Sequence, residues 1–459
     1  MKKLLLLLVV LWLVLPKEAS ATKYWYTQTG TLGSSCSQIA TAENSTTPPA
    51  FRLSWLATWA CMTPGDIFHF RAGTYIGANQ KNATTNVNII YETVVNVPNG
   101  TAGDPTIIEG EGLTGCAIAH TCNTVIKSDG HVIYDAQYIT IQNLEIDGNN
   151  ITGDSCFSFL GSGGTFDTNQ IDSNVIIDNV EMHDCYMHGV YTQTNINHFT
   201  MRNFNIHDTD KGLGSIGGHG CYIEGDDTTL ENFIIHDITL GGNSLGCQFQ
   251  DSSFPNTNDR GIVRNGAIYN VTGSDALYMT GNANQVYNVL FYNNFRGFTQ
   301  TTGSTAGGCN TTTQVYNNLF YNNTLAIQLG FGTSPPAACT GLTVDLTNNI
   351  IISNTQHIAL YNGWTSAGRR NAGACGASCG ILAVTLAAVT DCSVSTLDFH
   401  LKSDTTPCSN VGITESIVTT DKDLVSRPRG TAYDIGPYEF PVSLVDTTPP
   451  AQVQNVTVQ

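Results

Sequence analysis

Charge is what this chain has least of. Only 12% of its 459 residues are Asp, Glu, Lys or Arg, and 19 Lys and Arg face 37 Asp and Glu. A formal charge of −18 offers no basic face to a phosphate backbone, which excludes nucleic acid as a partner. The same imbalance repels an anionic substrate unless a bound cation or a local basic group intervenes. A second absence is any long apolar run beyond the N-terminus, so no membrane insertion is expected. No Arg-x-Lys occurs anywhere. With exposed charge so scarce and 45 glycines among abundant Asn and Thr, the composition reads as strands and turns, not surface helices.

The opening MKKLLLLLVVLWLVLPKEASA has two lysines, an apolar stretch of about thirteen residues and a small-residue ending. It reads as a signal peptide over 1–21, cut after Ala21, and predicts a secreted or cell-surface protein. Loss of Lys2, Lys3, Lys17 and Glu18 takes the net charge from −18 to about −20. All 14 cysteines lie after that point, and an even number in an exported chain suggests disulfides. Cys116/Cys122, Cys309/Cys339 and Cys392/Cys408 are the first pairs to expect. Cys375 and Cys379 offer a weak zinc alternative.

One pattern returns eight times between residues 139 and 354, from ITIQNLEIDG to DLTNNIIISN. Alignment puts asparagine in one column: Asn143, Asn179, Asn203, Asn232, Asn265, Asn288, Asn317 and Asn349. Around it the apolar period is two, which means strand. Three residues on, an inward column reads Ile146, Met182, Ile206, Ile235, Ile268, Phe291, Phe320 and Ile352. Two residues before the asparagine, another runs from Ile141 to Thr347. Copies spaced by 23 to 36 residues imply constant strands with variable loops, stacked as coils of a solenoid. A buried amide ladder at the bend explains the asparagines without appeal to function.

The asparagine ladder, the opening TPGDIFHFRAGTY and NGTAGDPTIIEG, and the closing STLDFHLKSDTTPCSNVG and RPRGTAYDIGPYEF carry a resemblance. Over about residues 24–440 the chain resembles secreted right-handed parallel β-helix proteins of the pectate-lyase-like superfamily. The resemblance implies an all-β, right-handed parallel β-helix: N-terminal cap and first coils over 22–125, and the helix with its closing segment over 126–440. Residues 441–459, with Asp-Thr-Thr-Pro-Pro, look like a linker towards a fibronectin-type module. The resemblance implies a polysaccharide partner and a monomer, and it is far more specific for fold than for reaction.

In that superfamily the substrate groove crosses the strand that reads HGVYTQ, HGCYIEG, LGCQFQD and DALYMTG here. Its inward residues include Cys221 and Cys247 on adjacent coils, either bonded or a pair of buried thiols. Outward residues are Tyr191, Gln193, Tyr222, Glu224, Gln248, Gln250, Tyr278, Thr280 and Thr299. Rings that stack on sugar faces, with amides for hydroxyls, make Tyr191, Gln193, Tyr222, Gln248, Gln250 and Tyr278 the expected substrate contacts. Ordinary strand propensity for tyrosine is the plain alternative.

A uronan lyase needs its substrate carboxylate neutralised, often by Ca²⁺, and a base for the adjacent proton. Glu224, Asp226, Asp227 and Asp251 offer the oxygen ligands, against the alternative of a solvated turn. Lys211, in the loop that also holds Asp208 and Asp210, is the candidate base, with His219 second. Hydrolysis ranks lower, because Asp226-Asp227 follow Gly218-His219-Gly220 instead of preceding it. A non-catalytic glycan-binding or structural solenoid stands between lyase and hydrolase or epimerase.

Two further outward columns read as scaffold. Asp147, His183, His207, His236, Tyr269, Tyr292, Tyr321 and Ser353 suggest stacked side chains capped by the turn residues Asp184, Asp208, Asp237 and Asn270. A coil spacing near 4.8 Å is too wide for stacked histidines to share one zinc. Asp178, Arg202, Glu231 and Arg264 alternate in sign and read as an ion-pair ladder.

Overall fold

The computed structural model describes residues 21–27, 30–53, 58, 60–76, 97–112, 114–127, 130–148, 155–160, 173–193, 196–210, 217–239, 242–250, 259–301, 312–330, 342–361, 364–369, 371–372, 386–387, 392, 399–401 and 408–440. The expectations placed on residues 1–20, Lys211, Asp251, Cys309, Cys339, Cys375, Cys379 and 441–459 lie outside the described residues.

Each coil runs strand, bend, strand, second bend, strand. Thr200–Arg202, Asn205–His207 and Cys221–Ile223 make one coil; Thr229–Glu231, Ile234–His236 and Cys247–Phe249 make the next. Parallel pairing gathers the first two strands of the coils into a 23-stranded sheet and the third into a nine-stranded sheet. The architecture is a right-handed parallel β-helix. Strands Thr22–Tyr26, Ile67–Phe70 and Thr106–Gly110 belong to the same large sheet as the later coils.

Both bends of a coil need a left-handed residue, and the sequence supplies side chains that tolerate it. The first bend is the asparagine column from Asn143 (φ 59°) to Asn317 (φ 53°). The second is Asp184, Asp208, Asp237, Asn270, Asn293, Asn322 and Ser353, with φ between 52° and 58°. Between the bends Ile146, Met182, Ile206, Ile235, Ile268, Phe291 and Phe320 stand in register and fully buried. Removing each such side chain from water contributes roughly 1.5–3 kcal/mol.

The last copy is shifted by one residue from the sequence alignment. Asn348 (φ 56°), not Asn349, occupies the bend. Ile351 therefore pairs with Phe320, Leu346 with Val315, and Ile352 with Tyr321. Asn349 points inward, and its Oδ1 accepts the Asn318 backbone N–H at 3.0 Å. With two successive asparagines, side-chain type alone does not say which one turns the corner.

The amide ladder is continuous only in part. Asn179 donates to Asn143 at 2.8 Å, Asn232 to Asn203, and Asn288 to Asn265 at 3.0 Å. Further along, Asn288, Asn317 and Asn348 also donate to carbonyls of Thr420, Asp434, Gly436 and Ile413. The asparagine corner therefore clamps the closing segment onto the solenoid. Within that segment Arg427 is buried against Glu439 at 2.7 Å and also donates to the Gly436 carbonyl at 2.8 Å. The terminal RP and DIG-x-YE residues are thus structural.

Cys116–Cys122 and Cys392–Cys408 are bonded as expected. Cys221–Cys247 is a disulfide between adjacent coils, and Cys36–Cys61 and Cys156–Cys185 add two more. The charged column is an ion-pair ladder: Arg202 lies 2.8 Å from Asp178, and Arg264 pairs with Glu231. The histidine column is stacked, with ring centroids 4.9 Å apart for His183–His207 and 4.8 Å for His207–His236. The expected turn caps are present, since Asp184, Asp208 and Asp237 each meet the Nδ1 of the preceding histidine.

Candidate functional site

The outward face of the nine-stranded sheet carries the expected contact row. Tyr191, Tyr222, Gln248, Tyr278, Thr299 and Gln328 are register partners on successive coils. Glycine is needed just before it. A Cβ on Gly220 would lie 2.3 Å from the Gly246 carbonyl oxygen, and one on Gly189 would lie 2.6 Å from that of Gly220. The recurring His-Gly therefore lets coils stack closely; it is scaffold first.

The histidines of that repeat form the floor beside the tyrosines. His188 and His219 rings lie 4.9 Å apart, and Tyr222 sets its edge 5.7 Å from each. Tyr191 and Tyr222 rings are 5.4 Å apart. His188 Nδ1 accepts the His219 backbone N–H at 3.0 Å, and His219 Nδ1 accepts that of Leu245 at 3.1 Å. An Nδ1 that accepts cannot hold a proton, so both rings are neutral with the proton on Nε2. Burial reinforces this: it takes His188 down to about 4 and, with the neighbouring His188, holds His219 well below the usual histidine range. His219, the second candidate base, is built as a donor.

Tyr191, Tyr222, Gln248, Gln250 and Tyr278 keep partial exposure. Gln248 donates to Gln250, and Thr301 donates to the Tyr278 hydroxyl at 2.8 Å. Further along, Arg296 lies 2.8 Å from the buried Asp275, which also accepts from Thr299. The strands end at Thr192 and Ile223, one residue before Gln193 and Glu224. Those two side chains consequently enter the corner and are only 7% and 2% exposed. Gln193 is therefore a corner residue and not part of the open row.

The proposed Ca²⁺ ligands do not assemble among the described residues. Arg260 takes Asp227 with Nε–Oδ1 at 2.6 Å and Nη2–Oδ2 at 2.7 Å, and lies 3.3 Å from Asp226 Oδ2. Asp226 Oδ1 accepts the Asp259 N–H at 2.8 Å. Every oxygen of the pair is engaged by a cation or an amide, and Glu224 is buried at the corner after strand Cys221–Ile223. Hydrogen bonding to Arg260 holds Asp227 below the ordinary range, while burial raises Asp226. A hard cation needing six to eight oxygens finds no open oxygens on Asp226 and Asp227, and Asp251 lies outside the described residues.

Three groups carried no functional role in the sequence reading. Arg296 was legible, because it is the coil partner of Asp275 and completes an alternating-sign pair. His188 repeats the His-Gly of coil 219–220. Arg260 lies 33 residues from Asp227 and gives no local signal.

No protein-family model matches this chain, and no curated protein matches it either. Three solved structures show a likeness to this chain. One is "Crystal structure of pectate lyase Pel9A", at 16% identity and TM-score 0.49, covering 92% of this chain and 97% of that one. A second is the A-module of mannuronan C-5 epimerase AlgE6 from Azotobacter vinelandii, at 16% identity and TM-score 0.37, covering 68% and 91%. A third is the PL6 family polysaccharide lyase Pedsa3628 from Pseudopedobacter saltans, at 12% identity and TM-score 0.37, covering 68% and 89%. At these identities and TM-scores the fold rests on this chain's own parallel strand pairing.

Proposed function

We propose that this chain binds a polysaccharide along the outward face of the nine-stranded sheet and cleaves a uronate-containing one by β-elimination. The observation that carries the reading is the register row Tyr191, Tyr222, Gln248 and Tyr278, rings and amides repeated at the coil spacing on a half-open face. Apolar sugar faces stack on such rings, and hydroxyls exchange hydrogen bonds with the amides. Secretion and a monomeric state belong to the same reading.

In the reaction a base removes the proton on the carbon beside the substrate carboxylate. The electron pair becomes a carbon–carbon double bond, the glycosidic bond breaks, and the departing oxygen takes up a proton. Lys211 is the proposed base. What supports the reading is the residue before it in the chain: the Asp210 backbone N–H donates to the Met187 carbonyl at 3.1 Å, next to His188. No step is assigned to Ca²⁺, because Arg260 already neutralises Asp226 and Asp227.

The test is incubation with pectate, alginate and glycosaminoglycans, with ultraviolet absorption of unsaturated ends as the readout. Lys211→Ala should abolish product while leaving affinity for the polysaccharide. Activity that vanishes with EDTA and returns with Ca²⁺ would overturn the metal-free assignment. A second reading, glycan binding without cleavage, is favoured by one observation: His188, His219, Asp226, Asp227 and Asp275 are each tied to a partner. Retained binding with no product across the panel selects it.

A further inference from the structure

On the large sheet, away from the tyrosine row, three ligand-type atoms converge on one point. Glu181, 3% exposed, presents a carboxylate oxygen to His207 Nε2 at 3.1 Å and to His120 Nδ1. Donor atoms of His120, Glu181 and His207 all lie within 4.8 Å of one another. The stacked column cannot supply this geometry, since its rings are a full coil apart. Only His207 comes from that column.

His120 comes from the loop closed by the Cys116–Cys122 disulfide. That loop is fixed to the solenoid, because the Ala117 N–H donates to Asn179 Oδ1 at 3.1 Å. His120 itself takes a left-handed conformation (φ 54°), which histidine tolerates better than most residues, at the end of helix Cys116–Ala119. Its ring lies 5.5 Å from that of His207. The loop thereby sets an imidazole over a buried carboxylate that would otherwise face solvent.

The remaining groups are those a metal centre needs. Asp208 Oδ2 sits 2.9 Å from His207 Nδ1, which holds a ring proton there and leaves Nε2 facing Glu181. An imidazole nitrogen 3.1 Å from a carboxylate oxygen needs either a proton or a metal ion between them. Carboxylate–histidine–metal chains orient ligands in this way. Asn205, the coil partner of Glu181, is fully buried with its amide nitrogen 3.3 Å from His120 Nε2. Its Oδ1 is buried with no hydrogen-bond partner among the described residues. The amide nitrogen is 3.4 Å from His120 Nδ1, so a half-turn would set that oxygen beside the ligand nitrogen as a fourth donor.

We propose that His120, Glu181 and His207, with Asn205 as fourth donor, form a site for a divalent d-block cation such as Zn²⁺, which fastens the disulfide loop to the second and third stacked coils. Two imidazoles and a carboxylate suit Zn²⁺ and not Ca²⁺, which takes oxygens. The neighbouring set Asp147, His183 and Asp184 is a poorer candidate, because Lys127 Nζ already sits 2.8 Å from Asp147. The inference is independent of any activity on polysaccharide.

The experiment uses the full chain stripped of metal. Titration with Zn²⁺ alone, followed by calorimetry, should give one site per chain, and Co²⁺ should give visible ligand-field bands. His120→Ala changes a half-exposed loop residue, so the fold should persist with an unchanged circular dichroism spectrum. It should weaken Zn²⁺ binding by at least about tenfold, as should His207→Gln, while His198→Ala should bind as the parent does. Absence of stoichiometric binding, or equal binding by His120→Ala, would overturn the site and leave Glu181 as the acceptor of two imidazolium ion pairs.

Discussion

Two pairs of stacked histidines sit on the same pair of coils, and they behave in opposite ways. His183 and His207 are 4.9 Å apart, and so are His188 and His219. In the first pair each Nδ1 meets a turn aspartate, and each Nε2 meets a glutamate of the preceding coil, Glu145 or Glu181. In the second pair each Nδ1 accepts a backbone N–H from the next coil. Burial opposes charge in both places. Carboxylates outweigh it in the first and lift His183 to about 9; no carboxylate offsets it in the second, and His188 falls to about 4. Stacking repeats a residue at the coil spacing, but the partner at the ring nitrogen decides its charge. One pair demands a proton or a metal ion; the other excludes both from Nδ1.

Acid should produce the largest effect, and on the buried pair. A depressed histidine leaves stability fully present above the unfolded value of 6.5, and it is lost as pH falls towards the folded value. For His188 the loss by pH 4 is about 3 kcal/mol, and His219 adds in the same direction. Urea denaturation at neutral pH and at pH 4 measures it. Carboxylates such as Glu109, held near 2 against burial by His69 and Lys23, lose stability over the lower part of the same range. The difference from a His188→Asn protein isolates the histidine. An identical pH slope in that variant would break the comparison.

Next in size is His188→Ala at neutral pH. It strands the buried His219 N–H, and should cost about 1–3 kcal/mol in denaturation free energy. His188→Asn, which keeps an acceptor, should recover most of it. On the outer pair His183→Gln should cost only about 1 kcal/mol, because its partners remain partly hydrated. A loss as large as that of His188→Ala would mean that the outer column bears load like the core. Smallest is Arg260→Gln, expected at about 0.5 kcal/mol or less, since that guanidinium is half exposed. A thermal scan with and without Ca²⁺ sharpens the point: only the variant, with Asp226 and Asp227 released, should gain stability from the ion.

Much of the coil was legible because period-two alternation and a left-handed asparagine are local properties. They put Ile206, Ile235 and Ile268 in one column and Tyr191, Tyr222 and Gln248 in another. The alignment slipped where local chemistry was degenerate, at Asn348-Asn349, because both residues tolerate the bend and only one can be buried beside Asn318. Gln193 and Glu224 were misplaced for a related reason: alternation says nothing about where a strand stops. The acidic turn at Asp226-Asp227 looked like an open ligand set because Arg260 reaches it from the following coil.

The sequence by itself determined the repeat, the inward columns of seven coils, the ion-pair ladder and the tyrosine–glutamine row. All of these follow from side-chain pattern within a strand and from stacking of like on like. Only the tertiary structure decided which charges meet. It joined Arg260 to Asp227, set backbone amides against His188 and His219, and brought His120 on its disulfide loop to Glu181, 61 residues away. Those pairings depend on how coils of unequal length overlie one another, and the length of a loop does not encode what it will cover.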